Sequence, residues 1–473
     1  MQVKQPTFRT CILAGIILLL ALSAWVVFKP GGDDELAAWK KAAEARGEIL
    51  DLAKLTPKFS TECLAHEASF SNAVLRFVTG PLTPGVIDVM GRTNHQSAAK
   101  VAWRQPHPMD KTQYPFSWEE VAEQMATNAV VFAELRGLLE NIPPGSARDG
   151  TMGVRMSSHP LVAMRRAVQM LTAGAVSDLH RAALDDALGK LHTMLLLSRW
   201  HEGESTLVIH MIRVAIMGLA VSTTWEALQA PGWDDAKLAK LQAGLEGAST
   251  WPKMRHTIAV ERAFMLSAFD LARTNPAGMA AIWSAQVTTG GNVANAFNES
   301  IYTPLWQMSW ARRDELNYLK LIAALLDAYR DVEARRSWQD LKRALEKDAS
   351  STRARTGFLD RWRFPMSVSM QPNWNKAGLS MLRTETMREM ACAAVAIERH
   401  RLRHGALPEN LQALMPEFVR DAPHDFMNGK PLRYRRGEGG RFNLWSVGED
   451  GRDGEGKQGS DDLVWPEPAD QPR

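Results

Sequence analysis

Helical periodicity dominates this chain from Asp33 to about residue 404. Long stretches there lack Pro and Gly, are rich in Ala, Leu, Arg and Glu, and repeat apolar residues every three or four positions. The chain has 473 residues, of which 45% are hydrophobic and 23% are charged. That length and composition suit a globular protein of about two or three structural units. The sequence therefore predicts a mainly α-helical fold.

The clearest part of the pattern lies between residues 157 and 232. Helical segments there are separated by breaks near Ala173-Gly174, Gly203 and Pro231-Gly232. Helices joined by such short connections pack as antiparallel neighbours, so the pattern predicts helical hairpins stacked into a multi-helix bundle or an irregular α-solenoid. Further helices are predicted at about 234–248, 251–274 and 311–347.

An uncharged apolar run near the N-terminus, residues 11–28, has the length of a membrane span. Lys4 and Arg9 precede it and an acidic cluster, residues 33–35, follows it, which places the N-terminus in the cytoplasm. We therefore expect a single-pass anchor in the inner (cytoplasmic) membrane, with the lipid bilayer as its partner and the body in the periplasm. A cleaved signal peptide is the alternative, because residues 21–23 resemble a small-residue cleavage site.

The net charge bears on nucleic-acid binding, and the cysteine content bears on disulfides and on structural zinc. The formal net charge is only +3, and the basic residues are dispersed among nearly as many acidic ones, so nucleic acid is not an expected partner. Cys63 and Cys392 follow the apolar run and are interpreted as two isolated thiols, with one disulfide as the alternative. The chain has no pair of closely spaced cysteines of the kind that holds structural zinc.

Two histidine groups are candidates for chemistry. His201 and Glu202 lie in SRWHEGES, with His210 further on, but the metalloprotease pattern needs a second histidine four residues after the first. His400 and His404 have that spacing, yet they precede a glycine at a helix end, where histidine complements the helix dipole. We interpret both groups as structural. An extracytoplasmic hydrolase that uses His201 and Glu202 is the alternative.

The sequence pattern changes at about residue 376, from helices alone to helices followed by strands. A long helix with one apolar stripe is predicted to end at Gly405, and a short helix follows near Pro408. Residues 430–436 and 441–447 alternate like strands, with Gly437–Gly440 as the connecting turn. The sequence therefore predicts a small α+β domain with an antiparallel hairpin. After it comes an acidic loop, residues 447–462, in which six carboxylates lie among closely spaced glycines.

This order of elements resembles the C-terminal domain of the major pseudopilins of type II secretion, over residues 385–465. The most specific matches are residues 446–448, Asp450 with Gly451, and the closing acidic pair. The ending is also similar to that of large helical envelope proteins of Planctomycetes and Verrucomicrobia. Unlike a pseudopilin, the chain has no processing site before its apolar run and no acid within that run.

The resemblance implies that the acidic loop binds calcium. In the family the last loop holds this ion, and Asp450, Asp461 and Asp462 match the family's acids. Asp453 and the carbonyl of Val447 would complete the shell. A hard cation prefers six to eight oxygen ligands, and calcium is plentiful outside the cytoplasm.

These observations predict three segments: a tail with its membrane anchor (1–32), a helical domain (33–375) and a pseudopilin-like domain (376–473). We expect a membrane-anchored envelope protein that acts in protein interaction or scaffolding. A component associated with a secretion system is a further alternative, because of the resemblance. Stacked helices offer grooves to protein partners without catalytic groups.

Overall fold

The computed structural model describes residues 32–55, 60–77, 101–108, 117–143, 159–200, 206–249, 251, 254–275, 298–353, 360–369, 373–457 and 459–466. The predicted anchor at residues 11–28 and the candidate residues His201 and Glu202 lie outside these ranges. Within them the protein is mainly helical, with a small antiparallel sheet near the C-terminus. The predicted fold class is confirmed at this level. The pseudopilin resemblance and the domain boundaries stay predictions.

The described helices follow one another along most of the chain. The first are α1 (Asp33–Ala45), α2 (Leu52–Leu55), α3 (Thr61–Leu75), α4 (Trp118–Thr127), α5 (Ala129–Glu140), α6 (His159–His180), α7 (Leu184–Arg199), α8 (Leu207–Leu228) and α9 (Asp235–Glu246). The later ones are α10 (Met254–Thr274), α11 (Thr303–Ser309), α12 (Ala311–Glu333), α13 (Trp338–Arg353), α14 (Asp360–Arg363), α15 (Pro365–Ser369) and α16 (Trp374–His404). Short 3₁₀ turns occur at Ala102–Arg104, Leu411–Leu414 and Glu438–Gly440.

The chain forms two compact units, each built from separate stretches of sequence. The first comprises Met1–Leu52, Arg262–Ala324 and Ala349–Pro372, and the second comprises the remaining residues. In the first unit α1, α10 and α12 share a leucine core, formed by Leu36, Leu266, Leu316 and Leu319. Burying such side chains stabilises the unit by ~1.5–3 kcal/mol each.

The second unit contains the predicted helical hairpins. α6 and α7 are joined by three residues and pack against each other, and α8 packs against both. The predicted break near Ala173-Gly174 is wrong, because α6 continues through it to His180. Gly174 is instead a point of close contact: an added Cβ would lie 2.7 Å from Cε of Lys190 on α7. The glycine serves packing between two helices rather than a turn.

Most other helix predictions are confirmed within a few residues. α9 and α10 occupy the segments predicted at 234–248 and 251–274. The segment predicted as one helix at 311–347 is two helices, α12 and α13, because Arg336 between them adopts a left-handed φ of 48°. Ser117 caps α4 in a reciprocal capping box with Glu120.

Among the described helices, α8 is long and apolar enough to cross a membrane, although 61% of its most apolar window is buried within the structure. It packs against α6, α7 and α16. His210, Arg213 and Glu226 on this helix are also fully buried. We interpret α8 as a core helix of the second unit, because most of its residues are buried and it packs against three other helices.

The C-terminal module, residues 406–466, is built on α16. That helix ends at Gly405, which adopts the left-handed conformation (φ 73°) of a C-terminal cap. Strands β1 (His424–Asp425) and β2 (Lys430–Pro431) form one antiparallel pair. Strands β3 (Arg433–Arg436), β4 (Phe442–Ser446) and β5 (Leu463–Val464) form a three-stranded sheet in that order. The predicted hairpin is confirmed as β3–β4, with Tyr434 opposite Leu444.

α16 is buried over much of its length. Residues 391–397 are all buried, which small alanines allow because they let neighbouring helices approach closely. A polar seam joins it to α9: Arg399 donates to Asp235 (2.7 Å), and Arg388 donates to the Leu245 carbonyl (3.3 Å). Cys392 lies in the same helix, and like Cys63 it is buried and forms no disulfide within the described residues. The alternative interpretation, one disulfide between these two cysteines, is therefore not seen in the described residues.

Candidate functional site

The acidic loop contains the five residues predicted to bind calcium, and Asp453 has the most contacts. Its Oδ1 accepts hydrogen bonds from the Trp445 indole nitrogen (3.0 Å) and the Glu455 backbone N–H (2.9 Å). Its Oδ2 accepts one from Nε of Arg433 (3.1 Å). The bond from Trp445 is the largest of the causes that hold the pKa of Asp453 below its ordinary value. Asp453 thus connects the loop to the hairpin.

Asp462 closes the same loop through backbone contacts. Its side chain is buried, Oδ1 accepts from the Gly454 N–H (3.2 Å), and Oδ2 accepts from the Gly456 N–H (2.8 Å). Gly456 has a φ of 65°, a left-handed conformation that glycine adopts without strain. The two glycines turn the backbone so that its N–H groups face the carboxylate.

The other predicted ligands have different roles. Asp450 and Asp461 are exposed, and Asp450 Oδ1 accepts from the Arg452 N–H (2.9 Å). Val447 is buried, and its N–H donates to a carboxylate oxygen of Asp425 (3.2 Å). The described residues contain no group of three or more His, Cys, Asp or Glu side chains that could hold a metal ion.

The N–H groups that donate to the loop carboxylates occupy oxygens that a calcium ion would need. Both oxygens of Asp453 and both of Asp462 accept N–H donors, whereas calcium would need those oxygens to face a cation. This arrangement does not fit a shell that uses both residues. The calcium site stays a prediction from the resemblance.

Asp425 on β1 links the strands at the start of the loop. This fully buried carboxylate accepts from the Met427 N–H (2.9 Å), the Ser446 hydroxyl (2.7 Å), the Val447 N–H (3.2 Å) and Arg433 Nη1 (2.6 Å). Burial, the largest influence, raises the pKa of Asp425, while these donors act against it. The residue fixes β1, β3 and β4 together.

α13 also contacts the loop and the chain next to β1. Gln339 Nε2 donates to the Glu449 carbonyl (2.8 Å), and an added Cβ at Gly451 would lie 2.8 Å from the same glutamine side chain. The backbone N–H of Trp338 also donates to the Phe426 carbonyl (2.8 Å). The acidic loop is therefore a folded part of the second unit.

A second buried carboxylate, Glu226 on α8, holds a separate segment of chain. Both of its oxygens lie 3.0 Å from the backbone nitrogen of Ala102, which donates to them. The Trp103 indole donates to the Glu226 carbonyl (3.0 Å), and Arg104 donates to the carbonyl of Gln229 (2.5 Å). Burial raises the pKa of Glu226 to about 7, with Arg104 as an opposing charge.

This raised pKa predicts a stability that depends on pH. The folded state binds the Glu226 proton more tightly than the unfolded state, so the stabilisation is present below a pH of about 4.5 and is lost as pH rises through about 7. Glu226→Gln cannot ionise. Between about pH 5 and about pH 8 we expect its unfolding free energy to gain about 2.5 kcal/mol relative to wild type.

Urea unfolding followed by circular dichroism at several pH values measures this difference. Glu123→Gln, on an exposed position of α4, is the control and should show no such trend. A Glu226→Gln difference that stays constant with pH would contradict the assignment.

Asp314 is a buried carboxylate of the first unit that, like Glu226 in the second, holds a separate segment of chain. It is fully buried, and it accepts from the Trp306 indole (3.1 Å) and from the backbone N–H groups of Met366 (3.1 Å) and Ser367 (2.8 Å). Burial raises the pKa of Asp314 to about 6. The first N–H groups of the short helix α15 have no acceptor within that helix, and the Asp314 carboxylate accepts them as a cap supplied by another helix.

The histidines singled out in the sequence have structural contacts where they are described. His400 and His404 have ring centroids 4.5 Å apart. His400 Nδ1 contacts the Ala406 carbonyl (2.9 Å), and His404 Nε2 lies 3.3 Å from a Glu417 oxygen. Both contacts tie the end of α16 to the chain that follows it. His210 is buried within α8.

A small apolar crevice lies between α8, α16 and β5. It is lined by residues that include Val221, Trp225, Met390 and Trp465, and its volume is about 20 Å³. That volume holds about one water molecule, far less than a substrate pocket. At one side the Trp225 indole donates to the Pro466 carbonyl (2.6 Å), which attaches the end of the sheet to the core helix.

Sequence reasoning missed Glu226, Asp314, Asp425 and the pairing of Arg433. One signal was present for Glu226, an acid near the end of an otherwise apolar helix. The others became recognisable only when distant segments were brought together. Comparison with known protein families, with curated proteins and with solved structures gave no match for this chain.

Proposed function

We propose that this chain is a membrane-anchored extracytoplasmic protein that acts in protein interaction or scaffolding in the bacterial envelope. The apolar run at residues 11–28 and the basic residues before it support the anchor and its orientation. The helical hairpins and the C-terminal module would then lie on the outer side of the membrane.

One observation favours a scaffold over an enzyme: the buried carboxylates serve as structural anchors. Glu226, Asp314 and Asp425 are each fully buried, and each accepts backbone N–H groups from another segment. A catalytic acid or base needs its reactive oxygen to face a substrate. Groups used in this way hold a framework together. The hydrolase alternative rests on His201 and Glu202, outside the described residues.

Exposed apolar side chains on one helix pair of the second unit support the interaction role. Leu64 and Leu75 on α3 are 54% and 58% exposed, and Val130 on α5 is 75% exposed. α3 and α5 pack against each other, so these apolar side chains belong to one helix pair. Exposed apolar groups on neighbouring helices are typical of protein contact surfaces.

Location is tested by a reporter fused after Arg473. We expect alkaline phosphatase to be active at this position and the fusion to sediment with membranes. Removal of residues 1–31 should leave the fusion in the cytosol and inactive, because export depends on the apolar run. An inactive full-length fusion in the cytosol would refute the proposed location.

The interaction role is tested separately, with a photo-crosslinking amino acid at Leu64 or Val130. Glu62, an exposed polar residue on α3, is the control position. We expect a discrete crosslinked protein from the two apolar positions and none from Glu62. Equal crosslinking at all three positions, or none, would contradict a specific contact surface. An association with a secretion system stays a prediction.

A further inference from the structure

The acidic loop concentrates negative charge, and its fold must offset the repulsion between the carboxylates. Six carboxylates lie between Trp445 and Trp465, and like charges at such short separations repel one another. Two basic residues occur within the loop, and one of them, Lys457, pairs with Glu455 at 2.7 Å. The Asp453 carboxylate instead meets a cation from outside the loop, on strand β3.

That cation is Arg433, which contacts two carboxylates at once. Its Nη1 lies 2.6 Å from Asp425 Oδ2, and its Nε lies 3.1 Å from Asp453 Oδ2. Asp425 holds the start of the loop through the Val447 N–H, and Asp453 holds its middle through the Glu455 N–H. The Arg433 guanidinium therefore bridges the carboxylate that holds the start of the loop and the carboxylate that holds its middle.

We infer that the Arg433 guanidinium is the cation around which the acidic loop folds, so that the loop needs no bound calcium. A carboxylate offers about four lone-pair sites. Three donors already reach Asp453, one of them from Arg433. A divalent ion at Asp453 would also face the positive guanidinium at short range, which is unfavourable.

The contacts of Asp462 agree with this inference. Both of its oxygens accept backbone N–H groups of the loop, from Gly454 and Gly456. Backbone N–H groups and the Arg433 guanidinium would thus take over two functions of a metal ion: they orient the carboxylates and offset their charge. The inference rests on the loop geometry alone and does not depend on the proposed membrane location.

The first experiment measures hydrogen exchange of the full-length, detergent-extracted protein. The probe amides are those of Gly454, Glu455 and Gly456, compared in EDTA and in calcium well above roughly 1 mM, the weak end of the range for extracellular calcium modules. We expect their protection to differ by less than about threefold between the two conditions. A larger rise in protection with calcium would overturn the inference.

The second experiment uses variants in EDTA. Arg433→Gln should reduce protection of the same amides by at least about tenfold, because two charge-assisted bonds are lost. Arg420→Gln, which precedes β1, removes an equal charge from an exposed side chain of the C-terminal module and should leave protection unchanged. Amides of α7 report whether any loss is local. Full protection in Arg433→Gln would also overturn the inference.

Discussion

Gly448→Ala is expected to unfold the C-terminal module, with a loss of more than about 4 kcal/mol in unfolding free energy. Gly448 follows β4 with a left-handed φ of 63°. An alanine Cβ would overlap the carbonyl oxygen of Asp461 and lie 2.6 Å from its carbonyl carbon. Both are backbone atoms, so no side-chain rotation can relieve the overlap, and the two ends of the acidic loop would have to separate.

Gly459→Ala is the matched control in the same loop. Gly459 also has a positive φ, 86°, but a Cβ there would meet nothing within 4 Å. It should cost only about 1–2 kcal/mol, the usual penalty for a left-handed alanine. Thermal unfolding followed by circular dichroism compares the two. Equal losses would show that the close approach of Gly448 to Asp461 is not what makes the glycine necessary.

Gly378→Ala is the second variant with a large expected effect. Gly378 lies in α16, where an added Cβ would be 2.6 Å from the Tyr329 hydroxyl and 3.0 Å from a methyl of Leu341. Tyr329 and Leu341 are both buried, so overpacking should destabilise the second unit by about 1–3 kcal/mol. Urea unfolding measures the loss. Gly137→Ala in α5, where a Cβ meets nothing within 4 Å, should instead add about 0.5–1 kcal/mol.

A double-mutant cycle identifies the atom that makes Gly378→Ala destabilising. The Tyr329 hydroxyl has no hydrogen-bond partner among the described residues. Tyr329→Phe alone should therefore change stability little, since no bond is lost. In the background of Gly378→Ala it should recover at least about 1 kcal/mol, because it removes the oxygen nearest to the new Cβ. Additive effects in the cycle would contradict this contact.

Features that depend on nearby residues could be predicted from the sequence. The Ser117 cap, the Gly405 helix end and the β3–β4 hairpin were recognisable because each is set by a few consecutive residues. The stacked helices of the second unit followed from short connections. These predictions needed no knowledge of what packs against each element.

Features that join distant segments could not be predicted. Gly174 suggested a helix break, but it lies inside α6 at a point that the side chain of Lys190 on the next helix approaches closely. Alternation over residues 430–436 predicted a strand, but not that Arg433 on it would contact Asp425 on another strand and Asp453 in the loop. Alternation shows which face a side chain occupies, but not which charge will meet it there.

The unbroken course of α16 has a mechanical consequence. Its 31 residues form a rod of about 46 Å that contacts the core helices α8 and α9 and also strands β1 and β4. A regular helix transmits displacement along its axis without bending, because every turn is braced by the next. A partner that pulls on the sheet would therefore also exert force, through α16, on the helical hairpins of the second unit.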